Sequence, residues 1–193
     1  MVTQKLSGIA VIHVGNTFRT GLEPHPEGDA LVVQMKDVSA QECVDPSGLS
    51  RITFGPIREA HQLSPGDLVF RSRGTKVATA LVPELPMPAL VSAPLFRIRL
   101  MSNLVHPRYL NWFINTVGQS HLGSRAEGSD LKMVSIQSIK DLDVTVPSLS
   151  RQLEIVELAA LAREEARLTE SIVQLRSKLV TSCLARAIHG ESK

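Results

Sequence analysis

The stretch of sequence that decides the fold is Ser148-LSRQLEIVELAALAREEARLTESIVQLRSKLVTSCLARAI-His189, which contains neither proline nor glycine. All 11 prolines lie at or before Pro147, and 11 of the 12 glycines lie at or before Gly128. Because Pro and Gly interrupt helices, this shift predicts a globular domain over 1–147 and a helical region over 148–193. We expect one helix from about Ser150, as its N-cap, to about His189, roughly 60 Å long at about 1.5 Å per residue.

Apolar side chains recur along this predicted helix at alternating steps of four and three residues, which is the pattern of a coiled-coil seam. Glu165 is the one charged residue in the seam. Such a seam either folds back on its own domain or pairs with another helix, and a helix this long favours pairing. The residues expected at a dimer interface are Leu161, Leu168, Ile172, Leu175 and Leu179.

The globular part has the patterns of several short strands. Runs rich in apolar and β-branched residues, bounded by turn residues, predict strands within 8–14, 30–36, 67–71, 77–82, 89–99 and 141–146. In the fifth of these, Phe96 and Ile98 alternate with Arg97 and Arg99, so the two arginines are expected to point to solvent. The expected fold class is α+β, a mixed, mostly-β domain followed by one long C-terminal helix.

One helix is expected inside the globular part. Pro107 suits the first turn of a helix, and Tyr109, Trp112 and Phe113 follow at spacings of three and four, before an end near Gly118. The aromatic stripe has two interpretations, a packed core face or a platform for stacked bases. A stripe at this spacing is more often core, and we favour that interpretation.

Composition and motifs exclude several functional classes. With 193 residues, 43% of them hydrophobic and 21% charged, the chain is a globular protein and not a disordered one. It has no phosphate-binding glycine loop, no serine-hydrolase elbow and no HExxH or CxxC motif. We therefore expect no catalytic residue, no metal site and no cofactor bound by this chain. Two distant cysteines and the lack of a signal peptide or a membrane span predict a cytoplasmic protein without membrane contact.

Charge is unevenly distributed although the total is only +2. The net charge is −3 over 1–67, +6 over 68–126, −2 over 127–147 and +1 over 148–193. The densest polar cluster, Arg71-Ser-Arg-Gly-Thr-Lys76, follows a predicted strand in the basic segment. It is either a solvated hairpin loop or a phosphate- and base-contacting loop. The polar segment 118–130 is a second candidate binding loop.

The ordered motifs resemble the specificity (S) subunits of type I restriction-modification systems. The resemblance rests on Leu63-SPGDLVFRSR-Gly74, Tyr109-LN-Trp112, Gly128 with Ile136 and Leu142, and Val146-PSLSRQLEI-Val156. The opening is similar to the start of such a domain at Ile9, Gly15, Thr17 and 33–38. Two positions depart from the family pattern, since Ser148 replaces a usual proline and Arg151 a usual glutamate.

The resemblance implies a non-catalytic, sequence-specific DNA-binding subunit with one target recognition domain and one helical spacer, where family members usually carry two of each. Its implied partners are double-stranded DNA, a DNA methyltransferase subunit that carries S-adenosylmethionine, a restriction subunit in complexes that cleave, and a second copy paired through the C-terminal helix. The target would be an interrupted palindrome. The alternative function is a coiled-coil protein-interaction scaffold. The DNA-contacting candidates are Arg71, Ser72, Arg73, Thr75, Lys76, Arg125 and Lys132.

Overall fold

The computed structural model describes residues 2–18, 21–39, 42–74, 78–124 and 133–188. Packing divides the chain into two units, Met1–Leu153 and Glu154–Lys193. The first unit holds every strand of the described residues and the short helices. The second unit is formed by the continuation of a single helix.

A two-stranded ribbon joins the beginning of the chain to the segment that precedes the long helix. Strand β1 (Val2–Lys5) runs antiparallel to β9 (Asp143–Val146), with Val2 opposite Val146 and Lys5 opposite Asp143. The short helix α1 (Leu6–Ile9) follows β1 directly. The strand predicted over 141–146 is therefore confirmed, whereas the segment predicted as a strand over 8–14 starts with the last turn of α1.

The largest sheet is antiparallel and has four strands in the order β2-β8-β5-β6. Its strands are β2 (Ala10–Val14), β5 (Leu68–Arg71), β6 (Ala78–Leu81) and β8 (Leu95–Leu100). Phe70 on β5 stacks on Phe96 on β8 with ring centroids 5.9 Å apart, and both side chains are buried. This pair forms part of the core on one face of the sheet.

A second sheet has three strands in the order β4-β3-β7, namely β3 (Ala30–Val33), β4 (Ser50–Ile52) and β7 (Ala89–Val91). Strand β3 is antiparallel to β4 and parallel to β7. The extended run predicted over 89–99 is thus two strands in different sheets, β7 and β8. A buried cluster that includes Val33, Val69 and Val91 joins residues of both sheets into one core.

Helix α2 (Pro107–Asn115) packs on β6, and α3 (Val117–Ser124) and α4 (Ile136–Lys140) follow it. The prediction that the aromatic stripe is a core face is confirmed for Tyr109 and Phe113, which are buried, whereas Trp112 is partly exposed. The Thr79 hydroxyl on β6 donates to Asn111 Oδ1 over 2.7 Å. Because a buried hydroxyl and amide satisfy each other there, α2 has a fixed position on the sheet.

The prediction that Arg97 and Arg99 point to solvent is wrong for Arg97, which is 5% exposed. Its guanidinium donates to the Gln62 carbonyl over 3.1 Å. Arg99 is partly exposed and forms an ion pair with the buried Asp67 carboxylate at 2.7 Å. The alternation along β8 correctly predicted that the two arginines share one face of the strand. That face is covered by the segment before β5.

Helix α5 (Leu149–Ile188) is 40 residues long and confirms the predicted long helix. The first turn of α5 is capped by Ser148 and not by the predicted N-cap Ser150. The Ser148 hydroxyl oxygen accepts from Arg151 N at 3.4 Å, and the Ser148 carbonyl accepts from Gln152 N at 2.9 Å. The fold is therefore the expected α+β arrangement, a mostly-β domain followed by one long helix.

Candidate nucleic-acid interface

The basic cluster predicted from the sequence lies at the tip of the β5–β6 hairpin. Strand β5 ends at Arg71, and Ala78 lies opposite it as the first residue of β6. Thr75 and Lys76 lie outside the described residues. Gly74 has a φ of +137°, a backbone conformation that favours glycine, and packs beside the Arg71 guanidinium.

Arg73 is the exposed cation of the described part of this tip. Its Nε–H donates to the Met133 sulfur at 3.2 Å, and its backbone forms an antiparallel bridge with Met133. The contact involves a neutral sulfur, so the guanidinium charge is not neutralised by it. Of the predicted contact residues that the structure describes, Arg73 has the geometry most suited to reach a phosphate or a base edge.

Ser72 points into the protein. It is 3% exposed, and its hydroxyl donates to the Pro94 carbonyl, while its own carbonyl accepts from Val134 N over 2.9 Å. The hydroxyl hydrogen of Ser72 is thus used in a hydrogen bond inside the domain. The structure assigns Ser72 a role in holding the tip against neighbouring segments, and we remove it from the expected DNA contacts.

Arg71 is partly buried. Its guanidinium donates to the carbonyl of the buried Val38 over 3.2 Å. The side chain therefore reaches toward the core side of the tip, where it supports the loop. A direct DNA contact by Arg71 stays a prediction, and it ranks behind a contact by Arg73.

The second candidate loop, 118–130, is helical in its first part, because α3 extends to Ser124. That part of the prediction is corrected. Sequence reasoning treated its glycines as loop formers, but Gly118 is compatible with the helix and packs against Leu142. Arg125 and Lys132 lie outside the described residues, so their contacts stay predictions.

Asn16 lines the same cleft as Pro94, and the sequence motifs did not single it out as a DNA contact. Its backbone is fixed by two hydrogen bonds, to Val91 O at 2.7 Å and from Ala93 N at 2.8 Å. The preceding Gly15 packs so closely that a Cβ atom there would lie 2.6 Å from the Ser92 carbonyl carbon. The glycine before the asparagine was the available signal, since close backbone approach requires it.

A cleft of about 350 Å³ opens beside Asn16. Phe18, Met35 and Pro94 contribute to its walls together with Asn16. Pro94 is also the acceptor of the Ser72 hydroxyl, so one wall of the cleft is connected to the hairpin tip. The cleft therefore combines polar and apolar groups, as do surfaces that contact base edges in a groove.

The predicted seam of α5 is exposed along its length. The side chains of Leu161, Leu168, Ile172, Leu175 and Leu179 retain between 48% and 69% of their accessible surface. Large apolar side chains in a single row at this spacing are the usual core of a helix pair. Beside the seam, Glu164 pairs with Arg167 at 2.6 Å, and this hydrogen-bonded partner lowers the pKa of the Glu164 carboxyl.

Within the described ranges, no three His, Cys, Asp or Glu side chains form a group that could hold a metal ion. Cys43 and Cys183 are free thiols. None of the described helices is long and apolar enough to cross a membrane.

Comparison with solved structures identifies the fold. No protein-family model matches the chain, and no curated protein sequence matches it. The HsdS subunit from Thermoanaerobacter tengcongensis superposes with a TM-score of 0.64 at 14% identity, over 98% of this chain and 45% of that one. A chain from a structure of complex assembly and conformational transition in the type I R-M system gives 0.64 at 16% identity, over 97% and 44%.

The S subunit of the type I restriction-modification system from M. genitalium superposes with a TM-score of 0.55 at 9% identity, over 96% of this chain and 45% of that one. The chain thus spans somewhat less than half the length of the structures that it matches. The order of a mostly-β domain and a long helix is shared across nearly all of its residues. This chain has the fold of one half of a type I restriction-modification S subunit.

Proposed function

We propose that this chain is a non-catalytic, sequence-specific DNA-recognition subunit that directs a type I DNA methyltransferase to its target. The observation that carries the proposal is the structural likeness to S subunits over 96% to 98% of the chain. The net charge of +6 over 68–126, which includes the hairpin tip, supports a polyanionic partner. A restriction subunit is the further partner of such a complex. S-adenosylmethionine belongs to the methyltransferase in this proposal.

The DNA-contacting surface in this proposal is the β5–β6 tip. Arg73 contributes an exposed guanidinium, which can bind a phosphate or fork onto the O6 and N7 atoms of guanine. Lys76, Thr75, Arg125 and Lys132 remain proposed contacts because of their position in the sequence. Phosphate contacts set the position of the domain on the duplex, and base contacts provide the specificity.

The seam of α5 pairs two copies in this proposal. In an antiparallel pair centred on Glu170, Leu168 of one copy meets Ile172 of the other, and Glu165 meets Leu175. A parallel pair in register would instead place two Glu165 carboxylates in the same core layer, where like charges repel. The position of Glu165 in the seam therefore favours the antiparallel arrangement.

An antiparallel pair has a twofold axis, which gives the two recognition domains identical targets of opposite direction. A helix pair several tens of Å long corresponds to several base pairs of unread spacer, because B-DNA rises about 3.4 Å per base pair. The proposed target is therefore a palindrome interrupted by a fixed spacer.

Modified-base sequencing of host DNA tests the function directly. We expect an interrupted palindromic motif to be methylated in cells that carry the gene and unmethylated after its deletion, with restoration by the full chain. An unchanged methylation pattern in a host that retains the partner methyltransferase would contradict the proposal. Neighbouring genes that encode a methyltransferase would identify that partner.

The alternative is a protein-interaction scaffold, which the exposed α5 seam supports equally well. Salt dependence separates the two functions. A DNA-recognition subunit loses affinity for a duplex steeply as salt rises, because it releases counterions from the phosphates on binding. A scaffold shows no duplex binding even when the methyltransferase is present.

A further inference from the structure

Basic side chains from four elements converge at β2, a strand at the edge of the four-stranded sheet. His13 on β2 lies directly opposite Arg97 on β8. His61, in a 3-10 turn over Glu59–His61, lines the same small cavity of about 10 Å³ as His13 and Arg97. Arg99 follows Arg97 by two residues and therefore projects from the same face of β8. These four residues, with Lys140 on α4, which packs against β2, are called the β2 basic cluster below.

The two arginines of the cluster are held in place by the segment before β5. Arg97 and Arg99 both donate to the Gln62 carbonyl, over 3.1 and 2.9 Å. Arg99 also makes two 2.7 Å hydrogen bonds to the carboxylate of the buried Asp67. Two guanidinium groups that share one acceptor repel each other, so their position is maintained by the surrounding fold.

Among the described residues of this region, the electrostatic interactions involve three cations, Arg97, Arg99 and Lys140, and two carboxylates, Asp67 and Glu59. Asp67 and Glu59 are the carboxylates that interact with Arg99, and Asp67 also accepts from Ser64 N at 2.8 Å. On the cationic side are the two arginines, with the partly exposed Lys140 and the two imidazoles nearby. The surface formed by this region consequently has an excess of positive charge.

The imidazole of His13 responds to that excess. Burial is the largest cause that lowers the pKa of His13, and the charges of Arg97, His61, Arg99 and Lys140 lower it further. An anion near His13 would offset those charges and favour the imidazolium form. Protonation of His13 and binding of an anion are therefore coupled.

We propose that the β2 basic cluster binds a phosphate group, with His13, His61 and Lys140 as the direct contacts. Arg97 is too buried for direct contact and acts through its charge, whereas the partly exposed Arg99 lies at the rim. A phosphate of the DNA backbone is the expected occupant, a step that rests on the proposed function. Such a contact positions the duplex without reading its sequence.

Proton-coupled binding gives the proposal a measurable signature. NMR titration of the imidazole signals of the full chain yields the pKa of His13 alone, with inorganic phosphate and with a duplex of arbitrary sequence at low salt. We expect both additions to raise the pKa of His13. We also expect the affinity for the duplex to fall as the pH rises from about 5.5 to 7.5, since the bound state holds the additional proton.

Matched variants separate the cluster from other basic residues. His13→Gln and Lys140→Gln should each weaken duplex binding roughly threefold at pH 6 and reduce the slope of log affinity against log salt by up to about 1. His25→Gln changes an exposed histidine outside the cluster and should have no effect. Thermal melting of each variant confirms that the fold is retained.

The outcomes distinguish this proposal from the proposed function. Duplex binding with an unchanged pKa of His13, and with variants equal to His25→Gln, would overturn the cluster while the DNA-recognition function stands. A rise in the pKa of His13 with inorganic phosphate, without duplex binding in the presence of the methyltransferase, would support a site for free phosphate and overturn the DNA function. No response to either ligand would overturn the cluster.

Discussion

Gln152, in the first turns of α5, is hydrogen-bonded to the residue before α2, because its Oε1 atom accepts from the backbone N–H of His106 over 2.7 Å. Its amide nitrogen donates to the Leu104 and Pro147 carbonyls, each over 2.8 Å. The side chain is fully buried. The side-chain amide of Gln152 thus satisfies three backbone groups from two separate segments of the chain. It thereby fixes the start of α5 within the first unit.

Replacement of this glutamine should be costly. Gln152→Ala leaves one buried and two partly buried backbone groups without this partner, at about 1–3 kcal/mol for a buried unsatisfied group, so we expect a loss of roughly 3 kcal/mol in the free energy of unfolding. Urea denaturation followed by circular dichroism measures it. Gln137→Ala removes an exposed amide that bonds to Asp141, and should change the unfolding free energy by less than about 0.5 kcal/mol. Equal effects of the two variants would contradict this assignment.

Stability should decrease in mildly acidic solution. Burial, followed by nearby positive charges, lowers the pKa of both His13 and His106 below the ordinary value of 6.5. The unfolded chain therefore binds more protons than the folded one as the solution becomes acidic. The stability contributed by the two neutral histidines is fully present above about pH 6.5 and is lost as the pH falls through their lowered pKa values. His106 Nδ1 also accepts from Arg108 N at the start of α2, a bond that protonation removes.

Chemical denaturation at pH 7.5 and 5.5 checks this dependence. The double variant His13→Gln with His106→Gln should show a smaller decrease than the wild type, and His25→Gln should behave as the wild type. A decrease of the same size in all three proteins would assign the effect to other groups.

Arg73 should contribute to DNA affinity. Arg73→Ala removes an exposed charge at the β5–β6 tip, and we expect weaker binding to a cognate duplex at matched salt. A base contact would cost about 1–3 kcal/mol and relax specificity at one position, whereas a phosphate contact would weaken binding to all sequences alike. Fluorescence anisotropy with cognate and scrambled duplexes distinguishes the two. Arg163→Ala on α5 is the control for a loss of one positive charge, and unchanged affinity of Arg73→Ala would remove this residue from the interface.

Self-association should depend on the α5 seam. The double variant Ile172→Asp with Leu175→Asp places charges in the expected core of the helix pair. We therefore expect the dimer to dissociate in sedimentation velocity. Leu184→Asp alters an exposed leucine on another side of the helix and should leave the dimer intact. A dimer that persists in the double seam variant would show that the copies associate elsewhere.

The orientation of the pair can be measured with Cys183, an exposed thiol near the seam. In the antiparallel register centred on Glu170, the two Cys183 residues are separated by about 39 Å along the axis, at about 1.5 Å per residue. Spin labels on Cys183 of a Cys43→Ser protein should therefore give an inter-label distance of roughly 40 Å in pulsed electron paramagnetic resonance. In a parallel pair in register the two labels lie at the same height along the axis, so a distance below roughly 20 Å would contradict the antiparallel arrangement.

A leucine at position 165 tests what determines that orientation. Glu165→Leu removes the charge that disfavours a parallel pair, so we expect tighter association together with a second, short distance between the Cys183 labels. An unaltered dimer that shows only the long label distance would show that other contacts set the orientation.

Sequence patterns predicted most elements whose signal is local. The strands around Phe70 and Phe96, the core face with Tyr109 and Phe113, and the 40-residue helix α5 all follow from periodicity and from the positions of Pro and Gly. The run over 89–99 was predicted as one strand although it forms two, β7 and β8, because both faces of β8 are covered and nothing in its alternation marks the change of sheet at Ser92.

The candidate site was less predictable, since its side chains are oriented by residues far away in the chain. Ser72 points inward because Pro94 offers an acceptor, and Arg73 extends along Met133, 60 positions later. His13 and Arg97 meet through strand pairing. None of these partners is near in sequence, so composition located the basic region but did not assign its side chains to the interior or the surface.

The antiparallel ribbon of β1 and β9 brings together the two ends of the domain that precedes α5. Since Val2 lies opposite Val146, the polypeptide enters and leaves the domain at one point, immediately before α5 begins at Leu149. Another domain with the same pair of terminal strands would attach to α5 through an identical junction. Under the proposed function, new target specificities would arise by exchange of whole domains, while α5 keeps the spacing between half-sites unchanged.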